Sequence, residues 1–163
     1  MKRAELELTI KLDKLYHLDL DTDLDIKKTE INDEMIKQPG QFAWYATLNE
    51  LAKNKVQTLK SELELLEATL DQKTRRDWDD SQGKMTETSV SAKIKMSPEY
   101  KELISRYLEA QKSQGILSVA RSAFEQRKDM LISLASNLRS ELDSDLKINK
   151  EKVANTIRKM RNN

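Results

Sequence analysis

Residues 97 to 142 read Ser97-Pro98-Glu99-Tyr100 and then KELISRYLEAQKSQGILSVARSAFEQRKDMLISLASNLRSEL, and this stretch decides the fold. Ser97-Pro98-Glu99 marks a helix start. Ser97 offers a side-chain N-cap, Pro98 stands at the first helical position where its missing N–H costs nothing, and Glu99 sits at the positive end of the helix dipole. No proline follows in the chain. Unbroken to Leu142, the helix is a rod of roughly 65 to 70 Å at about 1.5 Å per residue.

Along it Leu103, Ala110, Leu117, Phe124, Leu131 and Leu138 recur every seven residues. The companion positions, among them Tyr100, Tyr107, Gln114, Arg121 and Lys128, are partly polar. With Ile116, Val119, Met130, Ile132 and Leu134 alongside, the apolar arc widens to about 160°, against ~100° for an ordinary core-facing stripe. So wide an arc takes a helix of the same chain on one flank and another copy of the chain on the other. Leu117, Phe124, Leu131, Leu134 and Leu138 are the expected oligomerisation residues.

Outward from this helix the chain reads as one domain. It has 163 residues, 35% charged and 5% aromatic, with three Gly and two Pro, a composition that favours long helices with solvated faces. The formal charge of +1 makes any binding of anions local. With no cysteine, disulfides and thiolate metal sites are excluded, which fits a reducing compartment, and cytoplasm is the expected location. Charges run through Met1 to Leu20 and no stretch is apolar enough for a membrane span, so a soluble, unprocessed chain is expected.

Met1 to His17 carries Leu6, Ile10 and Leu15 at helical spacing, which predicts a short helix. The acidic segment 19 to 34 reads as a solvated loop and helix start. Its Asp21, Asp23 and Asp25 do not make an EF-hand, because the sixth and twelfth positions counted from Asp21 are Ile26 and Asn32 instead of Gly and Glu. Pro39 suits a helix start, and Tyr45, Leu48, Ala52, Val56, Leu59, Leu63, Leu66 and Leu70 carry that helix to about residue 75. Residues 76 to 96 form a basic turn and an extended segment. Between Met85 and Met96 apolar and polar residues alternate, predicting a strand that folds into a hairpin or pairs with another subunit. The last segment, 143 to 163, reads as a fraying helix with a basic tail. The fold expected is mainly all-α: long antiparallel helices with a short β segment between the central and C-terminal ones.

Nothing in the chain reads as catalytic. His17 is the only histidine, there is no phosphate-cradling glycine loop, and HExxH and GxSxG are missing. No enzyme activity, cofactor or metal is expected. What stands out is a cationic group around the turn: Lys73, Arg75, Arg76, Lys84, Lys93 and Lys95, with Trp78 among them. Cations along a phosphate chain plus an aromatic platform are what sequence-independent binding of single-stranded nucleic acid requires. The same residues also suit a plainer role, with Trp78 covering a helix end and the lysines keeping a sheet edge soluble. Repetition of the patch in an oligomer adds multivalency.

The order of features resembles the phage recombination mediators of the UvsY family. The resemblance lies in the aromatic helix start Phe42-Ala43-Trp44-Tyr45-Ala46-Thr47-Leu48, the basic turn, the stretch Lys84-Met85-Thr86-Glu87-Thr88-Ser89-Val90-Ser91-Ala92, and the final long helix. It implies a ring of six or seven subunits closed through the C-terminal helix, and binding of single-stranded DNA. It also implies contacts with a RecA-like recombinase and with single-strand-binding protein, in DNA recombination, repair and replication. Where the family carries Lys-x-Arg before a Leu-Asp pair, this chain has Glu67-Ala68-Thr69 before Leu70-Asp71, and its cations come later, at Lys73, Arg75 and Arg76. The competing expectation is a coiled-coil structural protein, such as a phage assembly scaffold or chaperone, with the same helices and no DNA surface.

Overall fold

The computed structural model describes residues 7–12, 14–79 and 84–161. Strands β1 (Glu7–Lys11) and β2 (Leu15–Asp19) form an antiparallel hairpin in which Ile10 faces Tyr16 and Thr9 faces His17. A short helix α1 (Leu20–Leu24) and a 3-10 turn (Lys28–Glu30) lead into the long helix α2 (Ile31–Arg76). Helix α3 (Glu87–Met96) then reverses the chain into α4 (Pro98–Arg161). The fold is mainly helical, with α2 and α4 packed antiparallel. Among the described residues no helix is long and apolar enough to cross a membrane.

The N-terminal expectation of a helix is corrected to the hairpin. Ile10 and Leu18 in the strands, and Leu12 and Leu20 just past them, are all buried, and their period of two continues one face of the sheet. Leu6, part of the helical reading, lies outside the described residues. On the solvent side, Thr9 Oγ1 and His17 Nδ1 are 3.2 Å apart in an exposed cross-strand pair.

Helix α2 begins at Ile31, eight residues before the expected start, and carries Pro39 inside it. Proline inside a helix removes one backbone hydrogen bond. Here the turn before it is held by tertiary contacts instead. Glu34 is paired with Arg127 of α4, and Gln38 donates from Nε2 to the Phe124 carbonyl at 2.6 Å.

The strand expected over 85 to 96 is corrected to helix α3. Thr86 is its N-cap: the Ser89 backbone N–H donates to the Thr86 hydroxyl, and Ser89 Oγ accepts from the Thr86 backbone N–H, a reciprocal capping box. Val90 is buried and Ile94 half-buried, so the apolar residues that anchor the segment are four apart and lie on one helical face. The predicted start of α4 is borne out by the Tyr100 backbone N–H, which donates to Ser97 Oγ at 3.2 Å. Its predicted end is not. The helix continues through the supposed fraying tail to Arg161, for 64 residues in all, a rod of roughly 95 Å.

The core lies where the hairpin crosses the α2–α4 pair. It contains Ile10, Leu12, Leu18, Leu20, Tyr45, Leu48, Ala52, Leu117, Ala120 and Phe124. The Tyr45 ring stacks on Phe124 with centroids 4.5 Å apart, and its hydroxyl donates to Asp23 Oδ2 at 2.6 Å. Burial, together with that carboxylate, pushes the Tyr45 phenol well above its ordinary range.

One buried polar cluster fixes how α1, α2 and α4 meet. Arg127 pairs with Glu34, donates from Nη1 to Gln38 Oε1 at 2.6 Å, and reaches the Asp25 and Leu24 carbonyls at 2.9 and 3.3 Å. A guanidinium with this many acceptors compensates for the loss of its water, and its planar fork dictates where each acceptor stands.

Candidate nucleic-acid interface

The cationic turn is built from the last turn of α2 and the whole of α3. Lys73, Arg75 and Arg76 lie in that last turn, where positive charge complements the negative end of the helix dipole. The Asp77 backbone N–H closes the helix on the Lys73 carbonyl at 2.9 Å. Lys93 and Lys95 hold the same place at the end of α3.

Two contacts bring the pieces together. Arg75 donates to Asp71 at 2.7 Å on its own helix and to Glu87 at 2.6 Å at the start of α3. Both carboxylates raise the pKa of the Arg75 guanidinium and hold it charged. Lys93 Nζ lies 5.2 Å from the centroid of the half-buried Trp78 ring, a cation–π pair joining the end of α3 to the loop after α2.

The structure thus unites Arg75 with Glu87, and Trp78 with Lys93, and leaves Lys73, Arg76 and Lys84 exposed around them. Lys95 is exposed and lines a depression that Glu64, Glu67 and Asp71 of α2 also line. Arg75 is therefore a bracket between helices, and Lys95 shares its depression with three carboxylates. Lys73, Arg76 and Lys84, exposed around these contacts, are the members of the patch best placed for phosphates.

A second basic surface went unread in the sequence. Lys11, Lys55, Arg106 and Lys112 line a groove of about 400 Å³ between the hairpin, α2 and α4, with Glu109 as its acid. Lys55 closes the hairpin end by donating to the Leu12 carbonyl at 2.6 Å. Residues this far apart in sequence carry no local signal. Only the antiparallel packing assembles them.

The expected oligomerisation residues divide. Leu117, Phe124 and Leu131 are fully buried within the single chain, a correction: α2 takes the flank expected for it, and the hairpin joins it in the core around Leu117 and Phe124, where another copy was expected. Leu134 is half-buried and Leu138 exposed. The uncovered part of the arc lies elsewhere on α4, at Leu108, Val119, Met130 and Ile132, and beyond Ala135.

Among the described residues no group of side chains is arranged to hold a metal ion. Compared with protein-family models, curated proteins and solved structures, the chain matches none.

Proposed function

We infer that the chain is a homo-oligomeric recombination mediator. It binds single-stranded DNA through the turn between α2 and α3 and helps load a RecA-like recombinase onto DNA coated with single-strand-binding protein. The observation that carries this reading is that one chain combines exposed Lys73, Arg76 and Lys84 around Trp78, with the acids Asp77 and Asp79 beside it, and a helix whose apolar residues run on without cover. Multiplying a modest patch by self-association is how a chain of near-zero net charge acquires salt-sensitive affinity for a polyanion. The groove at Lys11, Lys55, Arg106 and Lys112 offers a second stretch of the DNA path. The resemblance to the UvsY family supplies the recombinase, the single-strand-binding protein, the ring of six or seven subunits and, for a phage protein, the host cytoplasm. No bond is made or broken in this role.

The second reading, a coiled-coil scaffold or chaperone without a DNA surface, is favoured by the carboxylates Asp71 and Glu87 that occupy Arg75. Anisotropy of a labelled oligo-dT, titrated with protein at several salt concentrations, separates the two. The mediator binds at low salt and loses affinity steeply as salt rises, and Arg76→Glu with Lys84→Glu weakens it at least tenfold. Absence of binding at low salt leaves the scaffold reading.

A further inference from the structure

From residue 136 onward every described side chain of α4 is exposed. Helix α2 starts at Ile31, one turn before the Glu34 that pairs with Arg127, so the two helices part about a turn beyond Arg127. What remains, residues 136 to 161, is a helix without intrachain cover. Isolated helices of mixed composition are marginal in water and gain most of their stability from packing an apolar face.

That face is regular. Leu131, Leu142 and Val153 stand eleven residues apart, as do Ala135, Leu146 and Ile157, and Leu138 and Asn149. Eleven residues are close to three helical turns, so the stripe runs nearly along the axis, the geometry of a helix–helix seam. Leu131 and Ala135 are buried within the chain, whereas Leu142, Leu146, Val153 and Ile157 are 56 to 59% exposed. The stripe therefore continues a seam already used.

The charges on this segment select the occupant. The first half holds Glu141, Asp143 and Asp145 with one base, Arg139, and the second holds Lys147, Lys150, Lys152 and Arg158 with one acid, Glu151. Two copies side by side in the same direction set acid against acid and base against base. Reversed about Asn149, each acidic half lies on the basic half of the other copy. Asp145 and Lys152 are seven residues apart, within about 20° on the helix surface, so both stand on the flank that meets its own counterpart in an antiparallel pair.

We propose that residues 138 to 158 pair antiparallel with the same segment of a second copy, across a two-fold axis near Asn149. Leu142 then meets Ile157 of the second copy, Leu146 meets Val153, and Asp145 meets Lys152. Asn149, the polar residue in the seam, faces its own equivalent and sets the register, as a single buried Asn does in coiled coils. A two-fold contact is satisfied by two chains. The assembly therefore holds an even number of copies, and rings built on other surfaces of α4 meet tail to tail. The pairing rests on the reading that the chain self-associates and is independent of DNA.

Because the chain has no cysteine, introduced thiols report orientation directly, on the full-length protein without DNA. Leu142→Cys and Ile157→Cys, mixed and oxidised, should cross-link to each other, while Leu142→Cys alone should give little disulfide dimer. Efficient self-cross-linking of Leu142→Cys means parallel pairing and overturns the proposal. So does a monomer, or an odd copy number, by native mass spectrometry at micromolar concentration. Asp145→Lys should weaken pairing several-fold and the exchange Asp145→Lys with Lys152→Asp should restore it. Both substitutions lie on the exposed helix, so circular dichroism should show the core intact, and a weakening that the exchange fails to rescue argues against this register.

Discussion

At the residue scale the most consequential side chain is Arg127. It is 3% exposed, and four hydrogen bonds from its guanidinium reach Glu34, Gln38 and the Leu24 and Asp25 carbonyls at the end of α1. Replacing Arg127 by Met leaves the buried Glu34 carboxylate with only the longer Lys37 contact at 3.9 Å, which costs up to about 3 to 5 kcal/mol. Urea unfolding should show that loss, and Glu34→Met combined with Arg127→Met should recover a large part of it, since removing both charges removes the stranded one. Tyr45 makes a pH prediction. Its folded pKa lies above the ordinary value of 10.0, so its stabilisation is complete below that value. It is lost as the pH rises above it, where the unfolded chain ionises and the folded one does not. Stability should fall on the alkaline side, and Tyr45→Phe should flatten that slope. Neither residue stood out in the sequence. Arg127 is one of many cations on a helix, and the acid that gives it meaning lies 93 positions away.

At the element scale, periodicity was legible where it was long and ambiguous where it was short. The seven-residue series placed Ala110, Leu117, Phe124 and Leu131 on one face of α4, and all four are buried. It carried no information about what covers that face, and the hairpin, misread as a helix, takes part of it. Ten residues at 87 to 96 satisfy a period of two and a period of 3.6 almost equally. The deciding detail is the Thr86–Ser89 capping box. Thr86→Ala removes the cap and should destabilise α3 by about 1 kcal/mol, read as faster amide exchange at residues 89 to 92 while α2 is unchanged. The end of α4 was placed too early because the apolar spacing changes from seven to eleven near Leu131. A search for one period loses the stripe just where the other begins.

At the scale of the whole molecule, a hairpin and two antiparallel helices form a head, and the rest of α4 projects from it with its apolar stripe uncovered. Of the seven residues expected at the DNA surface, Arg75 is occupied in joining two helices, Lys93 lies over Trp78 and Lys95 shares a depression with carboxylates, which concentrates the candidate phosphate contacts on Lys73, Arg76 and Lys84. Composition alone could not separate these groups, because whether a cation faces an acid is settled by the packing of α3 on α2. Assembly and binding are then coupled: a patch this small holds a polyanion only when several copies act on one strand. Leu142→Asp with Leu146→Asp places charges in the exposed seam without touching the core. It should lower the copy number and weaken DNA binding together, with the helical circular dichroism of the head retained. The most direct test of the central claim is the oligo-dT titration run on the wild-type chain and on this variant at low and at physiological salt. Salt-sensitive binding by the wild type, weakened in the variant as the copy number falls, is the predicted result, and no binding by the wild type at low salt contradicts it.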